Sequence, residues 1–386
     1  MSPSLPPPTT DALAASEQLT SHIINEIVQE GGWISFARFM ELALYTPKLG
    51  YYTGGAQKLG QDGDFTTAPL ISSLYGRTFA HIVAALFSQT QKNIMELGAG
   101  TGKLAFDILT ELTKQGIVIA QYIIVDLSGE LQKRQEETLQ AFPQVVWLNH
   151  IPPSFSGIII ANEVLDAIPV HLVTKTPSGW QECGVSIKDQ QFVFSSKNCD
   201  PHLIQAIPEA DNLPIGYLTE IHPIAEGLIS TLSQSITQGF KDTQQGSVAF
   251  LIDYGFPARE FYLDQRHQGT LMCHYRHHVH TDPFYLPGLQ DITAHVNFTA
   301  MAQRAIDQGL DILGYYTQAN FLINGGISNF LSAISPDDAQ HYVPLAHGLQ
   351  KLLSPAEMGE LFKVLVIGLH TELPTTFAHQ DQSYRL

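Results

Sequence analysis

Three sets of residues in this chain have the type and spacing to do chemistry together. In the first, Glu96-Leu97-Gly98-Ala99-Gly100-Thr101-Gly102, a carboxylate precedes three glycines in G-x-G-x-G spacing. An apolar run from Ile94 leads in and a helical pattern from Lys103 leads out. Glycines there let a strand turn into a helix while the backbone closes on a ligand that any Cβ would obstruct. A Walker A loop would need Gly where Leu97 stands and Ser or Thr where Leu104 stands, and the dinucleotide pattern G-x-G-x-x-G is missed by one residue. The second set is Asp126, ending the apolar run Tyr122-Ile123-Ile124-Val125. An acid ending the second strand of a nucleotide-binding α/β unit accepts hydrogen bonds from ribose hydroxyls, although an Asp there also serves as a helix cap. The third is Asn162-Glu163-Val164-Leu165-Asp166, at the end of a fourth apolar run.

An acid followed by G-x-G-x-G is similar to the loop of S-adenosylmethionine (SAM) dependent methyltransferases. In an open parallel sheet, ligands bind beyond the carboxyl ends of the strands near the switch point. Asn162, Glu163 and Asp166 would then face the methyl group. If the segment turns helically, Glu163 and Asp166 share one face. Such a pair suits arginine: the guanidinium offers five donors in a planar fork that carboxylates grip bidentately. Holding one nitrogen in line with the sulfonium is most of what such a displacement needs. The competing reading is that either acid caps a helix.

Other candidates are weaker. Asp253-Tyr254-Gly255 ends a fifth apolar run, so Tyr254 could wall an acceptor pocket, or the Asp could cap a turn. Asp291-Ile292-Thr293-Ala294-His295-Val296-Asn297-Phe298 reads as a capped helix start, with His295 at the pocket rim. Cys273, His274, His277, His278 and His280 are rich in metal ligands, and His274 and His278 would align on a helix, but no recognised metal spacing is completed. The expectation is no metal.

The elements that must hold these groups alternate. Strands are expected near 92–97, 121–126, 144–148 and 157–162 with helices between successive members, then near 248–253, 311–316 and 361–369. Short βα units imply a parallel sheet. The expected fold is α/β, a Rossmann-like seven-stranded methyltransferase sheet with a helical N-terminal extension and inserted segments. Residues 1–15 read as a disordered tail and 16–90 as a helical cap and lid. Residues 91–171 and 246–375 read as the core, with an insertion at 255–295. Residues 172–245 form an inserted β-rich and helical segment, and 376–386 a tail. Within the cap, Ser35 reads as the N-cap of a helix from Phe36 to Tyr45.

Composition bounds the partners. With 37 acids against 20 bases the formal charge is −17, which argues against nucleic acid, whose phosphates need clustered Lys and Arg. It suits a basic protein segment. Three cysteines without a C-x-x-C pair point to a reducing compartment. No apolar run is long enough for a membrane span, and the first residues lack a signal-peptide pattern. A cytoplasmic protein, with a homodimer as a candidate assembly, is the expectation.

Several segments together resemble the MidA family of SAM-dependent methyltransferases. They are Gly63-Asp64-Phe65-Thr66-Thr67-Ala68-Pro69, Glu96 to Gly102, Asn162 to His171, Asp253-Tyr254-Gly255, Gly269-Thr270-Leu271 and Asp291 to Val296. The resemblance implies SAM as cofactor, held by Gly63, Asp64, Phe65, Thr66, Thr67, Glu96, Gly98, Ala99, Gly100, Gly102, Asp126, Leu127 and Asn162. It implies transfer beside Glu163 and Asp166, with Tyr254 and His295 on the substrate side. The family's mitochondrial member, by resemblance, makes symmetric dimethylarginine on a protein, so an exposed arginine of a protein partner is the implied acceptor. Two departures stand out. Asp126 replaces the usual Glu, and the Pro-rich start lacks the character of a transit peptide, which points to a bacterial-type member. Two alternatives stay open: methylation of a small molecule, and a SAM-binding assembly factor without turnover.

Overall fold

The computed structural model describes residues 5–54 and 67–386. The chain divides into two compact units. One contains the described residues of Thr66–Leu165, Leu228–Gly255 and Met301–Leu386. It is an α/β unit with a mixed sheet, whose strands include β1 (Asn93–Leu97), β2 (Gln121–Val125), β3 (Val145–Leu148), β4 (Ile158–Asn162), β5 (Ser247–Phe256), β6 (Asp311–Thr317) and β7 (Phe362–Leu369).

These strands lie side by side in the order β3-β2-β1-β4-β5-β7-β6. The first five are parallel. β7 runs antiparallel to both β5 and β6. Ile158 to Ala161 and Val248 to Ile252 are buried at every position, as expected of strands covered on both faces. Helix α1 (Ser73–Leu86) lies close to α2 (Lys103–Lys114) because Gly76 has no side chain. A Cβ there would come within 2.5 Å of Asp107 Cβ.

Two features of this unit differ from expectation. No helix joins β3 to β4; the linking residues 149–157 contain Pro152-Pro153, which leaves too little chain for one. The C-terminal residues are not a loose tail. Asp381 Oδ1 accepts from Tyr315 N at 2.9 Å, Tyr316 Oη donates to the Phe377 carbonyl at 2.7 Å, and both tyrosines lie on β6.

The other unit contains the described residues of Met1–Phe65, with Asp166–Gly227 and Phe256–Ala300. Helix Thr10–Gln29 begins inside the segment expected to be disordered, because Thr9 caps it by accepting from Ala12 N at 3.3 Å. Ser35 caps Phe36–Tyr45 in the same way, accepting from Arg38 N at 3.1 Å. Both helices bury apolar residues, among them Leu19, Ile23, Phe39 and Met40, in a core shared with Leu172 and Val185. Antiparallel strands Ile34–Ser35, Gly179–Lys188, His171–Thr176 and Leu218–Ile221 follow one another across a sheet, and Gln191–Asn198 pairs with Gly179–Lys188.

The histidine-rich segment is also β. Met272–Tyr275 and His278–His280 form a hairpin turned by Arg276 and His277, both at positive φ. His274 and His278 therefore do not align on a helix. Among the described residues no group of three or more His, Cys, Asp or Glu could hold a metal ion. Asp291 lies in strand Asp291–Thr293 and does not cap a helix. The helix that follows starts at Phe298, with Asn297 Oδ1 accepting from Ala300 N at 3.2 Å. Among the described residues no helix is long and apolar enough to cross a membrane.

Candidate active site

The glycine loop leaves the carboxyl end of β1. Gly98, Gly100 and Gly102 have φ of +62°, +55° and +80°, a left-handed conformation that side chains resist. Gly98 N donates to the Val125 carbonyl at 3.0 Å, drawing the loop towards the end of β2. A Cβ on Gly98 would meet Val164 Cγ2 at 3.2 Å. Ala99 points into the core. Glu96 is buried and accepts from Tyr122 Oη at 2.6 Å. Burial raises its carboxyl to about 7, the Tyr122 hydrogen bond partly opposes this, and the nearby Asp126 adds to it.

Asp126 follows β2 and is half-buried. Its Oδ1 accepts from Ser128 N at 2.9 Å and its Oδ2 from Gln135 Nε2 at 2.8 Å. Burial pushes its carboxyl up while these hydrogen bonds pull it down. Leu127 is exposed beside it. Gln135 comes from helix α3 (Gly129–Leu139), donates also to the Gly100 carbonyl at 3.0 Å, and accepts from Trp147 Nε1 at 2.9 Å.

At the end of β4, Asn162 Oδ1 accepts from Tyr75 Oη at 2.5 Å, and its Nδ2 donates to Glu163 Oε1 at 3.0 Å. Ala68 N donates to the same Glu163 oxygen at 3.3 Å. Glu163 has φ +55°, an uncommon conformation for a residue with a side chain, and its N donates to the Ile252 carbonyl at 2.8 Å. Leu165 N donates to Asp253 Oδ2 at 2.9 Å. These ties hold the segment in a non-helical turn, so the helical face expected to align Glu163 with Asp166 does not form. Asp253 is fully buried and accepts from Tyr254 N through Oδ1 at 2.9 Å. The Tyr254 ring packs edge-on against Phe362, centroids 5.4 Å apart.

Gly63, Asp64, Phe65 and Thr66 lie outside the described residues. Thr67 occupies the N-cap position of helix Ala68–Ile71 without a side-chain capping bond.

Asp166 and His295 belong to the antiparallel unit. Asp166 is buried, and its carbonyl accepts from Ala294 N at 3.0 Å. Tyr52 Oη donates to Asp291 at 2.9 and 3.0 Å, and burial, then Asp291, then Asp166 raise its phenol well above the ordinary range. The His295 ring stacks on Phe256 at 5.3 Å. His295 N donates to Thr270 Oγ1 at 3.0 Å, and the His295 carbonyl faces His222 Nε2 at 2.9 Å. Gly269-Thr270-Leu271 clasps a fully buried carboxylate. Glu220 Oε1 accepts from Thr270 N at 2.7 Å and Leu271 N at 3.0 Å, and a Cβ on Gly269 would stand 2.4 Å from it.

Sequence reading missed Tyr75, Tyr122, Gln135, Trp147 and Glu220. Each lies outside the motif it serves. Only Glu220 left a trace, in the Gly269-Thr270-Leu271 segment that clasps it.

A protein-family model described as "Putative S-adenosyl-L-methionine-dependent methyltransferase" matches residues 74–316. The human protein arginine methyltransferase NDUFAF7, mitochondrial, is 30% identical over 391 residues, covering 90% of this chain and 82% of its own. The Danio rerio protein of the same name is 29% identical, covering 90% and 86%. A crystal structure of a protein from Burkholderia thailandensis bound to S-adenosyl-homocysteine is 47% identical with a TM-score of 0.92, covering 99% of this chain and all of the other.

Proposed function

We propose, for a chain that belongs to the MidA-like family of SAM-dependent methyltransferases, that it moves the methyl group of SAM onto an arginine side chain of a protein. The observation that carries the cofactor half is the rim formed by β1 and β2. Three glycines in left-handed conformation clear the backbone of side chains, and Asp126 keeps lone pairs beside its protein donors. These residues fit a nucleoside with a charged tail. When bound, SAM supplies a methyl group on a positively charged sulfur. Gly98, Ala99, Gly100 and Gly102 would give the loop its shape, Asp126 would receive the ribose hydroxyls, and Glu96 would stand behind the loop. Leu127, Asn162 and Gly63 to Thr67 complete the proposed set.

The acceptor half rests on Glu163. Its Oε1 accepts from Asn162 Nδ2 and from the Ala68 N–H, which fixes the carboxylate at the strand end. A carboxylate fixed in that way grips a guanidinium and leaves one nitrogen oriented for attack. Asp166 is proposed as the second acid; after burial, Asp291 and Asp166 are the charges that raise the Tyr52 phenol. Tyr254 and His295 are proposed to face the acceptor. The relatives named as protein arginine methyltransferases support this choice of acceptor over a small molecule. The three cysteines, all free thiols, support a reducing, cytoplasmic setting.

Calorimetry with SAM, S-adenosylhomocysteine and NAD tests the cofactor half. Binding of the first two with no heat from NAD is the expected result; binding of NAD alone would overturn it. Arginine-bearing peptides and their lysine counterparts, offered with labelled SAM, test the acceptor half. Label in the lysine peptides only would refute it.

A further inference from the structure

Gln135 is wholly buried, yet its amide reaches three separate pieces of the cofactor rim. Nε2 donates to the Gly100 carbonyl in the loop after β1, at 3.0 Å, and to Asp126 Oδ2 after β2, at 2.8 Å. Oε1 accepts from the indole Nε1 of Trp147 on β3, at 2.9 Å. An indole nitrogen can only donate, so Trp147 dictates which way round the amide sits. The oxygen must face β3, and both donors must face the loop and the acid. Asp126 Oδ1 is meanwhile taken by Ser128 N, so the carboxylate is fixed at both oxygens and cannot swing towards the loop or away from it.

A second tether from the same helix shows what is special to Gln135. Thr138 Oγ1 donates to the Thr101 carbonyl at 2.9 Å, but it has no bond to Asp126. Thr138 can hold the loop; of the two, Gln135 is the one that joins the loop to the acid.

We propose that Gln135 is the positioning residue that sets recognition of the cofactor's ribose, by locking the Asp126 carboxylate to the Gly100 turn in one geometry. The proposal rests on the reading of Asp126 as the ribose acceptor. It assigns the discrimination between a ribose and a sugar without hydroxyls to a side chain that never touches the ligand.

The test is calorimetry with S-adenosylhomocysteine and with its analogue lacking both ribose hydroxyls. For Gln135→Leu we expect S-adenosylhomocysteine to bind about tenfold more weakly and the analogue to change by no more than about twofold. Thr138→Val should weaken the two ligands equally. In an Asp126→Ala background, Gln135→Leu should add no more than about twofold, since the bond to Asp126 is already gone and Thr138 still holds the loop at Thr101. Equal loss of both ligands in Gln135→Leu, or full additivity with Asp126→Ala, would overturn the proposal and leave Gln135 a packing residue. If Gln135→Leu does not fold, Trp147→Phe, which frees the amide from the other side, should show the same selectivity at about threefold, and no selectivity there overturns it equally. Failure of the underlying reading looks different. In that case Asp126→Ala keeps full affinity, or the wild-type protein does not distinguish the two ligands, and the proposal falls with it.

Discussion

The two halves of the sheet's rim are built by different means. At the ends of β1 and β2, shape comes from backbone freedom in a short stretch of chain. The side-chain bonds that support it span at most 37 residues: Asp126 to Ser128 2, Gln135 to Asp126 9, Trp147 to Gln135 12, Tyr122 to Glu96 26, Gln135 to Gly100 35 and Thr138 to Thr101 37. At the ends of β4 and β5, shape comes from side chains brought together over long distances: Tyr75 to Asn162 across 87 residues, Leu165 to Asp253 across 88, and Ala68 to Glu163 across 95. The first half is specified by local spacing and the second by the finished fold. Damage to the two should therefore be separable, with ligand affinity failing in one and turnover in the other.

The largest effect should come from Gly98→Val. A branched side chain would have to adopt φ near +62° with its Cβ 3.2 Å from Val164. S-adenosylhomocysteine affinity should fall by at least about a hundredfold in calorimetry. Wild-type affinity in this variant would break the comparison at its first half. Glu163→Gln should do the opposite. Transfer falls by about a hundredfold while affinity for S-adenosylhomocysteine stays within about twofold, because an amide retains the shape but not the charge that grips a cation.

Asp253→Asn sharpens the second half. Both carboxylate oxygens accept from backbone N–H groups, and an amide can supply only one acceptor oxygen. We expect a loss of about 2–3 kcal/mol in urea unfolding, and a fall in turnover with cofactor affinity retained. A fall in affinity without a fall in turnover would mean that the two halves are not independent.

The smallest effect concerns the buried acid behind the glycine loop. Glu96 titrates at about 7 in the folded protein against an ordinary value of 4.5. A raised carboxyl binds its proton more tightly in the folded state. Its contribution is then fully present below pH 4.5 and is lost as pH rises through about 7. Glu96→Gln has no proton to lose. Its melting temperature relative to wild type should rise across that window and level off above it. A constant difference from pH 4.5 to above 7 would show that Glu96 ionises without cost.

The same contrast explains what could be read from the chain before its structure. The four leading strands, the glycine turn and Asp126 were legible because periodicity and spacing are properties of neighbouring residues. The Ser35 cap was legible for the same reason. The turn after Asn162 was not: two acids three residues apart looked helical, and only the distant Ile252 and Asp253 hold the backbone otherwise. The histidines misled in a related way, since their i, i+4 spacing fits a helix while two residues at positive φ fold them into a hairpin. Buried polar residues outside the motifs leave little mark: nothing beside Gln135 in the sequence points to its role, and Glu220 shows only through the Gly269-Thr270-Leu271 segment that clasps it.

The most direct measurement incubates the purified protein and its Glu163→Gln variant with labelled SAM and cell extract, then identifies the labelled amino acid after hydrolysis. The account predicts label in methylarginine with wild type and about a hundredfold less with the variant. Label confined to small molecules, or equal label from both proteins, would contradict it.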